Sequence, residues 1–96
     1  MGMRGQHKNK RDANEADIFA ELRAYGMSVC PLDKPLDAIV GYGGRCYLVE
    51  VKNPKGKNAL SNPQKEFLET WKGGATILRS VEEANVFARA VRGLIS

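Results

Sequence analysis

Alternating stretches of helical and strand periodicity mark this chain as an α/β protein, with a mixed four-stranded sheet flanked by helices in the order αβββαβα. Three observations carry that assignment. Helix-start signals at Asp12, Ser61 and Ser80 each precede an apolar stripe of helical spacing. The glycine-rich stretch "GYGGR" joins two strand-like runs. A helix lies between the third and fourth strand runs, which requires a right-handed crossover and hence a parallel pair in an otherwise antiparallel sheet.

Asp12 followed by Glu15 has capping-box spacing and opens a helix carrying Ile18, Phe19, Leu22 and Tyr25, which Gly26 ends. Met27 to Leu32 suits a strand, and Pro31 within it points to a sheet edge or a strand end. After a bend at Lys34-Pro35, Asp37 to Val40 and Cys46 to Lys52 form a hairpin whose glycines supply positive φ. Asn53 to Leu60 is a polar, basic loop. Ser61 then caps a helix with Pro63 in its first turn and a stripe of Gln64, Phe67, Leu68 and Trp71 before Gly73-Gly74. Trp71 continues that stripe and is expected in the core. Ala75 to Arg79 is a short strand, and Ser80 with Glu83 opens a last helix through Val86, Phe87, Ala90, Val91 and Leu94.

A chain of 96 residues makes one small domain, and 27% charged residues beside 43% apolar ones place it among globular rather than disordered chains. The net charge of +4 is concentrated at one end. Arg4, Lys8, Lys10 and Arg11 stand without an acid among residues 1–11, while the remainder is balanced. Residues 1–11 therefore read as a flexible basic arm and residues 12–96 as the domain. Such an arm suits a nucleic-acid contact, because neutralised phosphates release counterions, although a solubilising tail has the same composition. His7 has no ligand-type neighbours. No apolar run reaches the roughly 18 residues of a membrane span, and no apolar signal segment opens the chain. Gln6 stands where a myristoylation signal needs Ser or Thr. The expectation is a cytoplasmic protein without a membrane partner. Cys30 and Cys46 match neither a zinc spacing nor a disulfide framework and read as small buried hydrophobes.

The chemistry concentrates in "YLVEVKNP". In an extended strand Tyr47, Val49 and Val51 share one face, while Leu48, Glu50 and Lys52 share the other. On this strand alone, Glu50 and Lys52 would be an exposed ion pair of about 0 to 1 kcal/mol. Two helices argue otherwise. Glu15, Phe19 and Leu22 fall at i, i+4 and i+7, and Gln64 begins the Phe67, Leu68, Trp71 stripe, so each helix aims one polar group inward from its first turn. Either group taken singly could belong to its capping box, Glu15 with Asp12 and Gln64 with Ser61. Asp37 opens the strand before the hairpin, and both helices can border the sheet face of Glu50. Three carboxylates buried together would cost several kcal/mol unless cations neutralise them. Their oxygens suit Mg²⁺ or Mn²⁺, which bridge phosphate oxygens, rather than zinc. Lys52 could orient an attacking water and stabilise charge on phosphoryl oxygens, which points to phosphodiester hydrolysis.

These residues resemble a known family. Asp37, then Glu50-Val51-Lys52, after a helix bearing Glu15, looks like the PD-(D/E)xK nuclease superfamily. "LVEVKNPKG" followed by "LSNPQKEFLETWKGGATILRS" resembles its VRR-NUC branch, in which E-x-K precedes a short loop, an L-S-x-x-Q helix start and a glycine before the last core strand. The likeness runs over roughly residues 12 to 84. It implies an αβββαβ restriction-endonuclease-like core with an extra C-terminal helix. It also implies metal ligation by Glu15, Asp37, Glu50 and the Val51 carbonyl, and catalysis by Asp37, Glu50, Lys52 and Gln64. One departure is that Leu36 separates Pro35 from Asp37, where the family has an adjacent Pro-Asp pair. Stand-alone domains of this branch are typical of phages and resemble homodimeric, structure-selective DNA endonucleases, some acting on four-way junctions; for a phage protein the expected location is the host cytoplasm.

The resulting expectation is a Mg²⁺- or Mn²⁺-dependent DNA endonuclease acting as a homodimer on branched, Holliday-junction-like DNA. Lys55, Lys57 and Lys65 flank the site as candidate phosphate contacts beside the arm residues. Two alternatives stand beside it: a nuclease-like DNA-binding module without catalysis, and a structural or assembly protein with a basic tail.

Overall fold

The computed structural model describes residues 13–53 and 60–95. Its elements follow the expected order: α1 (Ala13–Ala24), β1 (Ser28–Pro31), β2 (Ala38–Tyr42), β3 (Arg45–Val51), α2 (Asn62–Thr70), β4 (Gly74–Leu78) and α3 (Val81–Ile95). The arm and Asp12 lie outside the described residues, as does most of the basic loop after Asn53. Among the described residues no helix is long and apolar enough to cross a membrane.

Local chemistry explains most of the boundaries. Gly26, at φ 86°, closes α1 with paired bonds, its own N–H donating to the Arg23 carbonyl and the Met27 N–H to the Leu22 carbonyl. Gly43 and Gly44 take φ 57° and 83° in the two-residue turn between Tyr42 and Arg45, as the favoured hairpin turn requires. At α2 the full capping box forms: the Gln64 N–H donates to Ser61 Oγ at 3.3 Å and the Ser61 N–H to Gln64 Oε1 at 3.1 Å.

The sheet order is β1-β2-β3-β4, antiparallel except for the parallel pair β3 and β4. This is an α/β protein with a mixed four-stranded sheet. Pro31 ends β1, which is an edge strand. One face of the sheet carries the core: Ala38, Val40, Val49 and Leu78 pack with Ile18, Phe19 and Leu22 of α1 and with Ala84, Ala88 and Val91 of α3. Tyr47 on that face meets Phe87 edge-on, with ring centroids 5.4 Å apart.

The opposite face carries Leu48 and Glu50 with α2 alongside, its Leu68 lining a cavity with Leu36, Ala75 and Ile77. Here several expectations are corrected. The first two helices do not border one sheet face, because α1 pairs with α3 over the core while the crossover carries α2 to the other side. No residue of α2 is fully buried. Trp71 is 41% exposed. It is the C-cap of α2 with extended backbone, so it leaves the helical stripe, stacks on Phe67 and donates its Nε1–H to the Gly74 carbonyl at 3.0 Å. Cys30 and Cys46 are exposed rather than buried. Strand register puts both on the face that carries only the nine-residue α2. On α3 the buried stripe is Ala84, Ala88 and Val91, so Val86 and Leu94 point outward.

Candidate active site

The site is built at the end of β3. Ala38 pairs with Val49, so one step outward Asp37 stands opposite Glu50. Leu36, only 2% exposed, anchors the approach to Asp37. The Asp37 carboxylate then accepts the Val51 N–H through Oδ2 at 2.8 Å, fastening it to the far side of the hairpin. On the next strand Lys52 continues the parallel ladder, its N–H donating to the Leu78 carbonyl at 3.1 Å.

Glu50 is 4% exposed and faces away from Val49 and the core cluster. Its Oε2 lies 3.0 Å from Lys52 Nζ, with the two side chains 5% and 15% exposed. This is a buried ion pair, not a surface one. Its Oε1 is buried with no hydrogen-bond partner. Leaving such an acceptor unpaired costs roughly 1 to 3 kcal/mol or more when charged, so a buried carboxylate oxygen of this kind calls for an ion, a water or a substrate group to meet it.

Glu15 is likewise buried, at 6% exposure, in the first turn of α1. The neighbouring Asn14 ties that turn to the site: its amide donates to the Arg79 carbonyl at 3.2 Å and, at the limit of bonding distance, to the Lys52 carbonyl at 3.5 Å. The expected cluster of three carboxylates is nonetheless not assembled. Among the described residues no group of three or more His, Cys, Asp or Glu stands together as a metal-holding set. The physical reason is the layering, since α1 lies over the core face while Glu50 projects from the other.

The structure therefore brings together Asp37, Glu50, Val51 and Lys52. Gln64 is drawn into the capping box through its amide oxygen instead of pointing from a buried stripe. Lys65 is exposed on α2. Arg4, Lys8, Lys10, Arg11, Lys55 and Lys57 lie outside the described residues, yet both basic segments join the described chain close to this site, one just before Asn14 and the other just after Asn53. Two site residues are not anticipated from the sequence: Asn14, which carries no signal beyond helical position, and Arg79, which falls beside Lys52 only once the β3–β4 register is known.

A carboxylate with one unpaired buried oxygen, a second carboxylate beside it and a nearby main-chain carbonyl form an all-oxygen donor set. Such a set fits a hard divalent cation, which takes one or two carboxylates and completes its shell with water and phosphate oxygens. Comparison with protein-family models, with curated proteins and with solved structures finds no match to the chain.

Proposed function

We propose that this chain is a divalent-metal-dependent DNA endonuclease with a restriction-endonuclease-like core of the VRR-NUC kind, hydrolysing phosphodiester bonds with Mg²⁺ or Mn²⁺. The observation that carries the proposal is Glu50, buried, paired with Lys52 through one oxygen and unpartnered at the other. Burying a charge pair on a strand is a poor way to stabilise a small domain, since desolvation offsets most of the attraction. Chemistry at that position supplies a reason for it.

Glu50, Asp37 and the Val51 carbonyl would hold the cation. When bound, the cation supplies Lewis acidity toward a phosphate oxygen and a water of lowered pKa. Asp37 fixes the end of β3 through the Val51 N–H. Lys52 keeps a positive charge beside Glu50 in a water-poor setting, where it stabilises negative charge building on phosphoryl oxygens. Gln64 would assist through its amide N–H groups, its oxygen being engaged by Ser61. The basic residues of the arm and of the segment after Asn53 would add contacts to the DNA backbone. A homodimer acting on branched DNA suits a domain this small, since two symmetry-related sites cut paired strands.

A second reading, a DNA-binding module of the same fold with idle chemistry, is favoured by one observation: no three-ligand metal set is gathered among the described residues. Incubating the protein with labelled four-way junction and linear duplex in Mg²⁺, Mn²⁺ or EDTA separates the two. Metal-dependent cuts, preferentially in the junction, are expected. Binding without cleavage under every metal condition would establish the second reading, and no affinity for any DNA would sink both.

A further inference from the structure

We propose that Arg79, set beside Lys52 at the carboxyl ends of the parallel strands, binds a backbone phosphate of the substrate strand. The proposal rests on the nuclease reading above and adds to it a phosphate contact. Val51 pairs with Leu78, so the next step of the register places Arg79 next to Lys52. Arg79 directly follows β4, and its side chain borders two hollows: one of about 290 Å³ with Leu36, Leu68, Ala75 and Ile77 on the Glu50 side of the sheet, and one with Glu82, Glu83 and Val86 against α3. In open α/β sheets ligands gather outside the carboxyl ends of the strands, and among the described residues Lys52 and Arg79 bring positive charge to that end of this parallel pair.

The main chain of Arg79 is held from both sides. Its carbonyl accepts the Asn14 amide at 3.2 Å, and its N–H donates to Glu83 Oε1 at 2.8 Å. Its guanidinium is held far less firmly, 3.9 Å from the same Glu83 oxygen with the side chains 43% and 46% exposed. A pair that long and that wet contributes little, so a phosphate displaces it readily. The planar guanidinium can meet a phosphate through two parallel N–H groups where an ammonium would act only as a point charge.

The test measures affinity for fluorescein-labelled junction and duplex DNA in EDTA over a series of salt concentrations, for wild type, Arg79→Ala and Arg79→Lys. Arg79→Ala should weaken binding about 5- to 10-fold at low salt and lower the slope of log Kd against log salt by about 0.9, the release of one phosphate contact. Arg79→Lys should keep the slope and recover only part of the affinity. Thermal melting of each variant confirms that the fold is retained, as expected for an exposed side chain. Unchanged affinity and slope in folded Arg79→Ala would overturn the proposal, and so would a wild-type protein that binds no DNA. Titration with inorganic phosphate and a nucleoside monophosphate forms the control arm: Arg79-dependent binding of these without DNA binding would replace the strand contact by a small-anion site. Because affinity is read without metal, a protein that binds but never cleaves removes the nuclease reading and leaves the Arg79 contact measurable.

Discussion

Replacing Lys52 by Met removes the cation beside Glu50 while keeping most of the apolar stem. At 3.0 Å the attraction between the two charges is about 5.5 kcal/mol for an effective dielectric near 20. Both groups are well under a third exposed, so screening discounts this only in part. Since Glu50 Oε1 has no partner already, the substitution leaves a buried carboxylate with neither oxygen satisfied by Lys52 or a hydrogen bond. Breaking such a pair typically costs 3 to 5 kcal/mol, and the partial access of water at Lys52 favours the lower figure, about 3 kcal/mol. For a domain of this size that corresponds to a fall in Tm of at least about 12 °C. Urea unfolding should show a lower midpoint at unchanged slope. The double variant Glu50→Gln with Lys52→Met should recover at least about half the loss, because the uncompensated charge is gone. A loss below about 0.5 kcal/mol in Lys52→Met would refute the reasoning and return the pair to the class of solvated surface contacts.

Two further outcomes follow from the same site. Mn²⁺ at about 100 times its dissociation constant should stabilise the wild type by about 2.7 kcal/mol through mass action, seen as a rise in Tm that Glu50→Gln abolishes; equal rises in both would place the metal elsewhere. Asn14→Ala should cost about 1 kcal/mol in urea unfolding, since one of its two bonds is at the limit of bonding distance and the other is a half-buried link to Arg79. A change under about 0.3 kcal/mol would show that the clamp between α1 and the strand ends is not holding them.

The order of elements is legible in the sequence because its signals are local. Gly26, Gly43-Gly44, Ser61 and Ser80 act within one turn of themselves, and each sits where its conformation or its hydroxyl is used. The shared face of Glu50 and Lys52 is equally legible, since alternation along one strand needs no tertiary information. Which layer covers that face is not. Helical spacing shows that Glu15 and Phe19 lie on one stripe, yet it does not say that the stripe meets the Val49 side of the sheet. The same gap misplaces Trp71, whose stripe position is lost when the backbone extends at the C-cap, and Val86 and Leu94, since α3 packs through its alanines instead. The cysteines follow the same logic: parity gives their face, and only the short reach of α2 leaves them exposed. Arg79 needs the register of two strands separated by a helix, which no local signal encodes.

The central claim is that the buried pair on β3 is catalytic machinery and not a structural ion pair. It is tested most directly by the rate of junction cleavage in Mn²⁺ at saturating protein, measured for wild type, Glu50→Gln and Lys52→Ala beside their affinities for the same DNA. The account predicts a loss of about 100-fold or more in rate for each variant with affinity kept within about threefold. Cleavage by Glu50→Gln at the wild-type rate would contradict it.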